Sequence, residues 1–200
     1  MTRVLVLHSV KLLRSALGAL LESERSFEVF ASGWNSADRY AESLSPDVCV
    51  VDLDCPGAID MFAAASRGAK AERRTSLLVL ASAARPGALR RAHEARALGF
   101  VDKNGPAGRL VRGIRQVAAG ERFVDASLAH GLLEAARMPL TARELSVLSR
   151  SAEGDSIDEI ARGLHLTNGT VRNYMAAATR KVGARNRIDA IRISQREGWV

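Results

Sequence analysis

Hydrophobic residues follow two rhythms along this chain. Over the first 120 residues, short unbroken apolar runs alternate with stretches where apolar residues recur every three or four positions. Residues 3–7 (RVLVL), 47–53 (DVCVVDL), 76–81 (SLLVLA) and 99–102 (GFVD) suit strands buried on both faces, and 27–31 (FEVFA) is a weaker run of the same kind. Between them, Leu12, Leu13, Ala16, Leu17, Leu20 and Leu21 form a helical stripe, and residues 36–44, 59–67, 87–98 and 108–119 read as further helices. Five strands alternating with five helices predict a doubly wound parallel sheet with right-handed crossovers. In such a sheet, functional groups gather at the carboxyl ends of the strands.

Beyond residue 138 the pattern is helical only. Ser156 followed by Glu159 has the spacing of a capping box, Ile157, Ile160, Ala161 and Leu164 form a stripe, and Gly163 marks the approaching helix end. Thr167 or Asn168 can cap the next helix, whose Val171, Met175, Ala178 and Val182 face a core. The division expected is an α/β domain over 1–120, a linker over 121–138 and a small all-α four-helix domain over 139–200. Leu128, Leu132 and Leu133 give the linker a short amphipathic helix.

Two hundred residues, 47% hydrophobic, suffice for two small cores. No apolar run is long enough to span a bilayer and the chain enters its first strand at once, so no membrane association and a cytoplasmic location are expected. Cys49 and Cys55 form no CxxC pair and the four histidines are scattered, which argues against a disulfide framework or a metal site. No cofactor is expected, nor is an enzyme, since no nucleophile and base stand together. The net charge of +7 favours an anionic partner.

That charge is concentrated on one helix and the turn after it. Arg172, Asn173, Arg180, Lys181, Arg185 and Arg187 occur with no acidic residue between Asn168 and Arg187. A short helix followed by a basic one is the helix-turn-helix arrangement, in which the second helix meets base edges. By itself this charge pattern also fits a solvated helix face.

The stretch 140–200 decides between the two. Leu140-Thr141-x-Arg143-Glu144, Glu159-Ile160-Ala161, Gly169-Thr170-Val171-Arg172-Asn173 and Lys181-x-Gly183 closely resemble the LuxR-type DNA-binding domain. The resemblance implies double-stranded DNA as partner, with Arg172 and Asn173 reaching base edges. Thr170, Tyr174, Arg180 and Lys181 would sit around them at phosphate or sugar, with Thr167 and Ala176 also part of the DNA-binding set. Ile188, Ala190, Ile191 and Ser194 resemble the surface on which such domains dimerise.

The order and length of the first 120 residues resemble a response-regulator receiver domain, so the whole chain resembles the NarL/FixJ response regulators. Asp52 matches the phospho-acceptor, Lys103 the lysine that contacts the acyl phosphate, and Phe100 the switch aromatic. The likeness breaks where two carboxylates would hold Mg²⁺, because those positions are His8 and Ser9. Mg²⁺ demands oxygen ligands and sheds water reluctantly, so this exchange weakens it severely. The switch hydroxyl position falls on Ala81, with Ser82 one residue late as the alternative. His8 beside Asp52 also permits a direct imidazole–carboxylate contact.

The function expected is therefore a DNA-binding transcription regulator with an atypical receiver. It would read inverted repeats as a homodimer without conventional Mg²⁺-dependent phosphorylation. Two other modes remain open from sequence: a switch driven by a partner kinase at Asp52 or by a small ligand in the degenerate pocket, and a heterodimerising module that binds DNA weakly by itself.

Overall fold

A computed structural model describes residues 1–34, 43–55 and 75–200. The helix expected over 59–67 and all but the end of that expected over 36–44 lie outside them. The chain divides into two compact units: Met1–Ala83 with Arg91–His130, and Ala84–Arg90 with Gly131–Val200.

The first unit is built on a parallel sheet. Its strands are β1 (Thr2–Leu7), β2 (Phe27–Ser32), β3 (Val48–Asp52), β4 (Ser76–Ala81), β5 (Gly99–Asp102) and β6 (Phe123–Val124). They lie in the order β2-β1-β3-β4-β5-β6, all neighbours parallel. The sheet has six strands where five were expected. Phe123 and Val124 add to the edge by pairing with Gly99 and Phe100.

Helices α1 (Lys11–Glu22), α2 (Pro86–Glu94) and α3 (Ala107–Ala118) connect these strands. Leu110, Val111, Ile114 and Val117 of α3 and Leu21 of α1 share one core with Val4, Val6, Val48, Val50, Leu78 and Leu80, so both helices cover the same face of the sheet. Space is tight there, since a Cβ on Gly99 would lie 2.7 Å from Leu78 Cγ and 2.8 Å from Val117 Cγ2. Gly99→Ala is expected to cost about 1–3 kcal/mol through overpacking, read as a lower denaturation midpoint. The α1 stripe is only partly a core stripe. Leu17, Leu20 and Leu21 pack inward, whereas Leu12 is 77% exposed.

The second unit holds α4 (Ala129–Arg137), whose first two residues belong to the first unit, then α5 (Ala142–Ala152), α6 (Ile157–Leu164), α7 (Asn168–Lys181) and α8 (Arg187–Arg196). Each of the last four begins with a side-chain cap: Thr141 and Ser156 form complete capping boxes with Glu144 and Glu159, while Thr167 and Asn186 cap α7 and α8. Leu140, Leu145, Leu148, Ala178 and Ala190 form the main core, and Val147, Ile160, Ala161 and Val171 a second one between α5, α6 and α7.

The turn between α6 and α7 is closed by His165 at φ 55°, with the Leu166 amide donating to the Ala161 carbonyl at 2.8 Å. Glycine or asparagine is commoner in this left-handed position. Gly163, expected to mark the helix end, has another task. A Cβ there would stand 1.5 Å from Arg150 Nη1, so its bare backbone makes room for the guanidinium that Asp155 holds at 2.6 Å.

Candidate pocket and nucleic-acid interface

At the carboxyl ends of β1, β3 and β5 the sheet brings His8, Asp52 and Lys103 together. His8 and Asp52 are both buried, with His8 Nε2 3.5 Å from Asp52 Oδ2. The Val10 amide donates to His8 Nδ1 at 3.0 Å. An acceptor Nδ1 places the ring hydrogen on Nε2, facing the carboxylate. The other carboxylate oxygen, Oδ1, accepts from the Asp54 amide at 2.8 Å and from Lys103 Nζ at 3.4 Å.

Lys103 also pairs closely with Asp54. Burial works against its charge, but the hydrogen bond to Asp54 and the nearby Asp52 outweigh it and hold the ammonium above its usual range. Ser9 Oγ lies 3.2 Å from the buried Cys55 Sγ. Cys49 stands apart in β3, its thiol pushed up to about 12 by burial, so it is unreactive.

Ala81 is buried at the end of β4 and accepts the Lys103 amide at 3.0 Å; Ser82, the next residue, is half-buried. Phe100 is buried in β5. The Mg²⁺ of receiver pockets does not fit this donor set. An imidazole already turned to Asp52 and a hydroxyl on a thiol stand where oxygen anions are required. Among the described residues no group of three metal-capable side chains exists.

Next to Lys103, a second polar cluster ties the edge of the sheet to the chain that follows. Asp102 Oδ2 accepts from Ser127 Oγ at 2.7 Å, and the Asn104 amide and Ser127 hold this carboxyl below its ordinary range. Ser127 Oγ is also 3.1 Å from Asp125 Oδ1, an oxygen that pairs with Arg109. The Asp125 side chain is fully buried and its Oδ2 has no partner among the described residues. Nothing in the sequence pattern marked this cluster.

In the second unit, α7 turns Val171 and Ala178 inward and leaves Arg172, Asn173, Ala176 and Arg180 exposed. The side chains of Arg172, Asn173 and Arg180 make no hydrogen bond or ion pair among the described residues. Tyr174 is half-buried against the second core. Thr167 and Thr170 are engaged with each other, their hydroxyls 2.8 Å apart, and Thr167 is the cap.

Lys181 differs from the other basic residues of α7. Its ammonium donates to Glu144 Oε2 at 2.8 Å, and the same oxygen accepts the Thr141 amide at 2.7 Å. One carboxylate thus joins the start of α5 to the end of α7. Burial alone would raise Glu144, but Lys181 and Thr141 prevail and hold it below its ordinary 4.5. A lowered folded value means stability that is present above pH 4.5 and is lost as pH falls through that lowered value. Acid titration of unfolding from about pH 5 to 3 should therefore show a loss in the native chain that Glu144→Gln lacks.

Arg185 and Arg187 are also committed: Arg185 to Asp189, and Arg187 to Ser151 Oγ at 2.6 Å and the Asp155 carbonyl at 3.0 Å. The surface expected for dimerisation needs correction. Ala190 and Ser194 are fully buried because α8 packs them inward, and Ile188, 78% exposed, is the large apolar residue α8 leaves outside.

Comparison with known proteins agrees with this layout. Residues 138–194 match the family of bacterial regulatory proteins called the luxR family. The chain is 53% identical to the response regulator RamR of Streptomyces coelicolor over 100% of its own length and 98% of that protein. It is 34% identical to the transcriptional regulatory protein DesR of Bacillus subtilis, over 100% and 99%. RcsB from Salmonella enterica serovar Typhimurium, solved bound to a promoter, shares the fold with a TM-score of 0.62 at 22% identity, over 96% of this chain and 97% of that one. The chain belongs to the NarL/FixJ family of response regulators, transcription regulators that carry a receiver-like sheet followed by a LuxR-type helix-turn-helix domain.

Proposed function

We propose that this regulator binds specific promoter DNA through α7, as a homodimer on inverted repeats, and does so without Mg²⁺-dependent phosphorylation of Asp52. Its family is one of transcription regulators and not of enzymes. Among the described residues no helix is long and apolar enough to cross a membrane.

The observation that carries the DNA-binding part is the outward row of α7. Arg172, Asn173 and Arg180 are exposed and uncommitted, while the basic residues around them are held by Glu144, Asp189, Ser151 and the Asp155 carbonyl. Arginine suits guanine and asparagine suits adenine in the major groove. Independence from phosphate follows from the pocket, where His8 and Lys103 already address both oxygens of Asp52. The Lys103 ammonium and the His8 ring N–H address the carboxylate in the metal's stead.

Selection of genomic fragments by the untreated chain, repeated across a salt series, tests this. A shared inverted repeat whose affinity falls steeply with salt is expected. Arg172→Ala should lose site preference, at about 1–3 kcal/mol of discrimination, while Asp52→Asn binds as the native chain does. Treatment with acetyl phosphate and Mg²⁺ should add no mass. Loss of site selection in a folded Asp52→Asn chain would refute the independence from phosphate.

A further inference from the structure

The outward row of α7 contains a position with no polar group at its centre. Ala176 is exposed, four residues after Arg172 and four before Arg180. That places it about 6 Å along the axis from each, a distance of about two base-pair steps. Beside it a groove of about 360 Å³ runs between α6 and α7, with Ile157, Ile160, Met175 and Thr179 in its lining and arginines at its borders. Ala177, the next residue, is also short.

A side chain that ends at Cβ lets the helix backbone come close to the groove floor. It also offers no donor or acceptor. Facing a cytosine amino group or a purine N7, the methyl would strip water from a polar edge and return nothing. Facing thymine, it meets the one apolar group that the major groove displays, the C5-methyl.

We propose that Ala176 is a specificity-determining residue that reads the methyl group of a thymine about two base pairs from the guanine bound by Arg172. This rests on the reading of α7 as the recognition helix. The preference it creates is shape-based: the thymine methyl fills the space that the short side chain leaves between Arg172 and Arg180. A longer polar residue at 176 would remove that preference and substitute a hydrogen-bonded one.

The test uses the full chain and a duplex selected by it, with each thymine replaced in turn by deoxyuridine, which pairs identically but lacks the methyl. Replacement of that thymine in either half-site is expected to weaken the native chain about fourfold, the worth of one buried methyl group. Ala176→Gly should bind the thymine duplex less tightly by a similar factor and be indifferent to the same replacement. Because glycine weakens a helix, Ala176→Gln, a longer polar residue of good helix propensity, serves as the second variant, with the same indifference expected and helicity checked by circular dichroism.

The proposal is overturned if no deoxyuridine weakens the native chain, or if folded Ala176→Gly and Ala176→Gln variants keep the full fourfold penalty. Failure of the native chain to select any duplex dependent on Arg172 would instead overturn the underlying reading of α7.

Discussion

Arg109→Ala is expected to destabilise the sheet-bearing unit by about 2–3 kcal/mol. The cause is what the substitution leaves behind. Asp125 has a fully buried side chain whose Oδ1 pairs with Arg109 and whose Oδ2 has no partner among the described residues. Removing the guanidinium abandons a carboxylate inside the protein. A fully buried pair broken this way costs about 3–5 kcal/mol. The figure here is lower because Arg109 is 47% exposed and its charge is already shared with water. The Ser127 amide, which donates to Asp125, also softens the loss. The measurement is urea denaturation followed by a probe in the sheet. Asp125→Asn in the Arg109→Ala background should recover part of the lost stability, because the buried charge is then gone. An Arg109→Ala midpoint equal to the native one would show that the carboxylate does not depend on the guanidinium.

Leu148→Ala in α5 is expected to have an effect of similar or larger size, about 3 kcal/mol, in the DNA-binding unit. Leu148 is fully buried among Leu140, Leu145, Ala178 and Ala190, so truncation opens a cavity at the junction of α5, α7 and α8. A small four-helix core has little stability in reserve. Hydrogen exchange across α7 should accelerate, and DNA affinity should fall with the folded fraction. The same substitution at Leu12, which is 77% exposed, should change stability by less than about 0.5 kcal/mol. The contrast separates burial from residue type, since both are leucines in helices.

The comparison of Leu12 with Leu148 also shows what the chain discloses before folding. Unbroken runs such as VCVVD and SLLVLA announce strands buried on both faces, because few other structures tolerate them, and β3, β4 and β5 lie where those runs do. Capping boxes at Ser156 and Thr141 are similarly local, since every group involved lies within three residues. Leu12 belongs to an apolar stripe by spacing alone, but whether a stripe's edge is buried depends on what packs beside it.

Sites were legible in proportion to how local they are. Resemblance placed His8, Asp52 and Lys103 in one pocket, and the fold brings His8 Nε2 to 3.5 Å and Lys103 Nζ to 3.4 Å from the Asp52 carboxylate. It could not say that Lys181 is held by a carboxylate 37 positions earlier, or that Arg187 is held by Ser151 and Asp155. Ion pairing between distant residues is a product of the tertiary structure. The same reasoning covers Asp125, whose neighbours Arg109, Ser127 and Asp102 carry no shared motif.

The two-residue strand β6 escaped notice because Phe123 and Val124 are too short a run to show any period, yet it has a consequence for how the domain can be handled. By pairing with Gly99 and Phe100 it occupies the hydrogen-bonding side of β5 that would otherwise form the rim of the sheet. A fragment cut after Gly120, where the α/β repeat ends, would bare that rim and offer an unpaired backbone ladder to the next molecule. Such a fragment should stick to its own copies and precipitate, whereas one carried through His130 keeps the rim capped and stays dispersed.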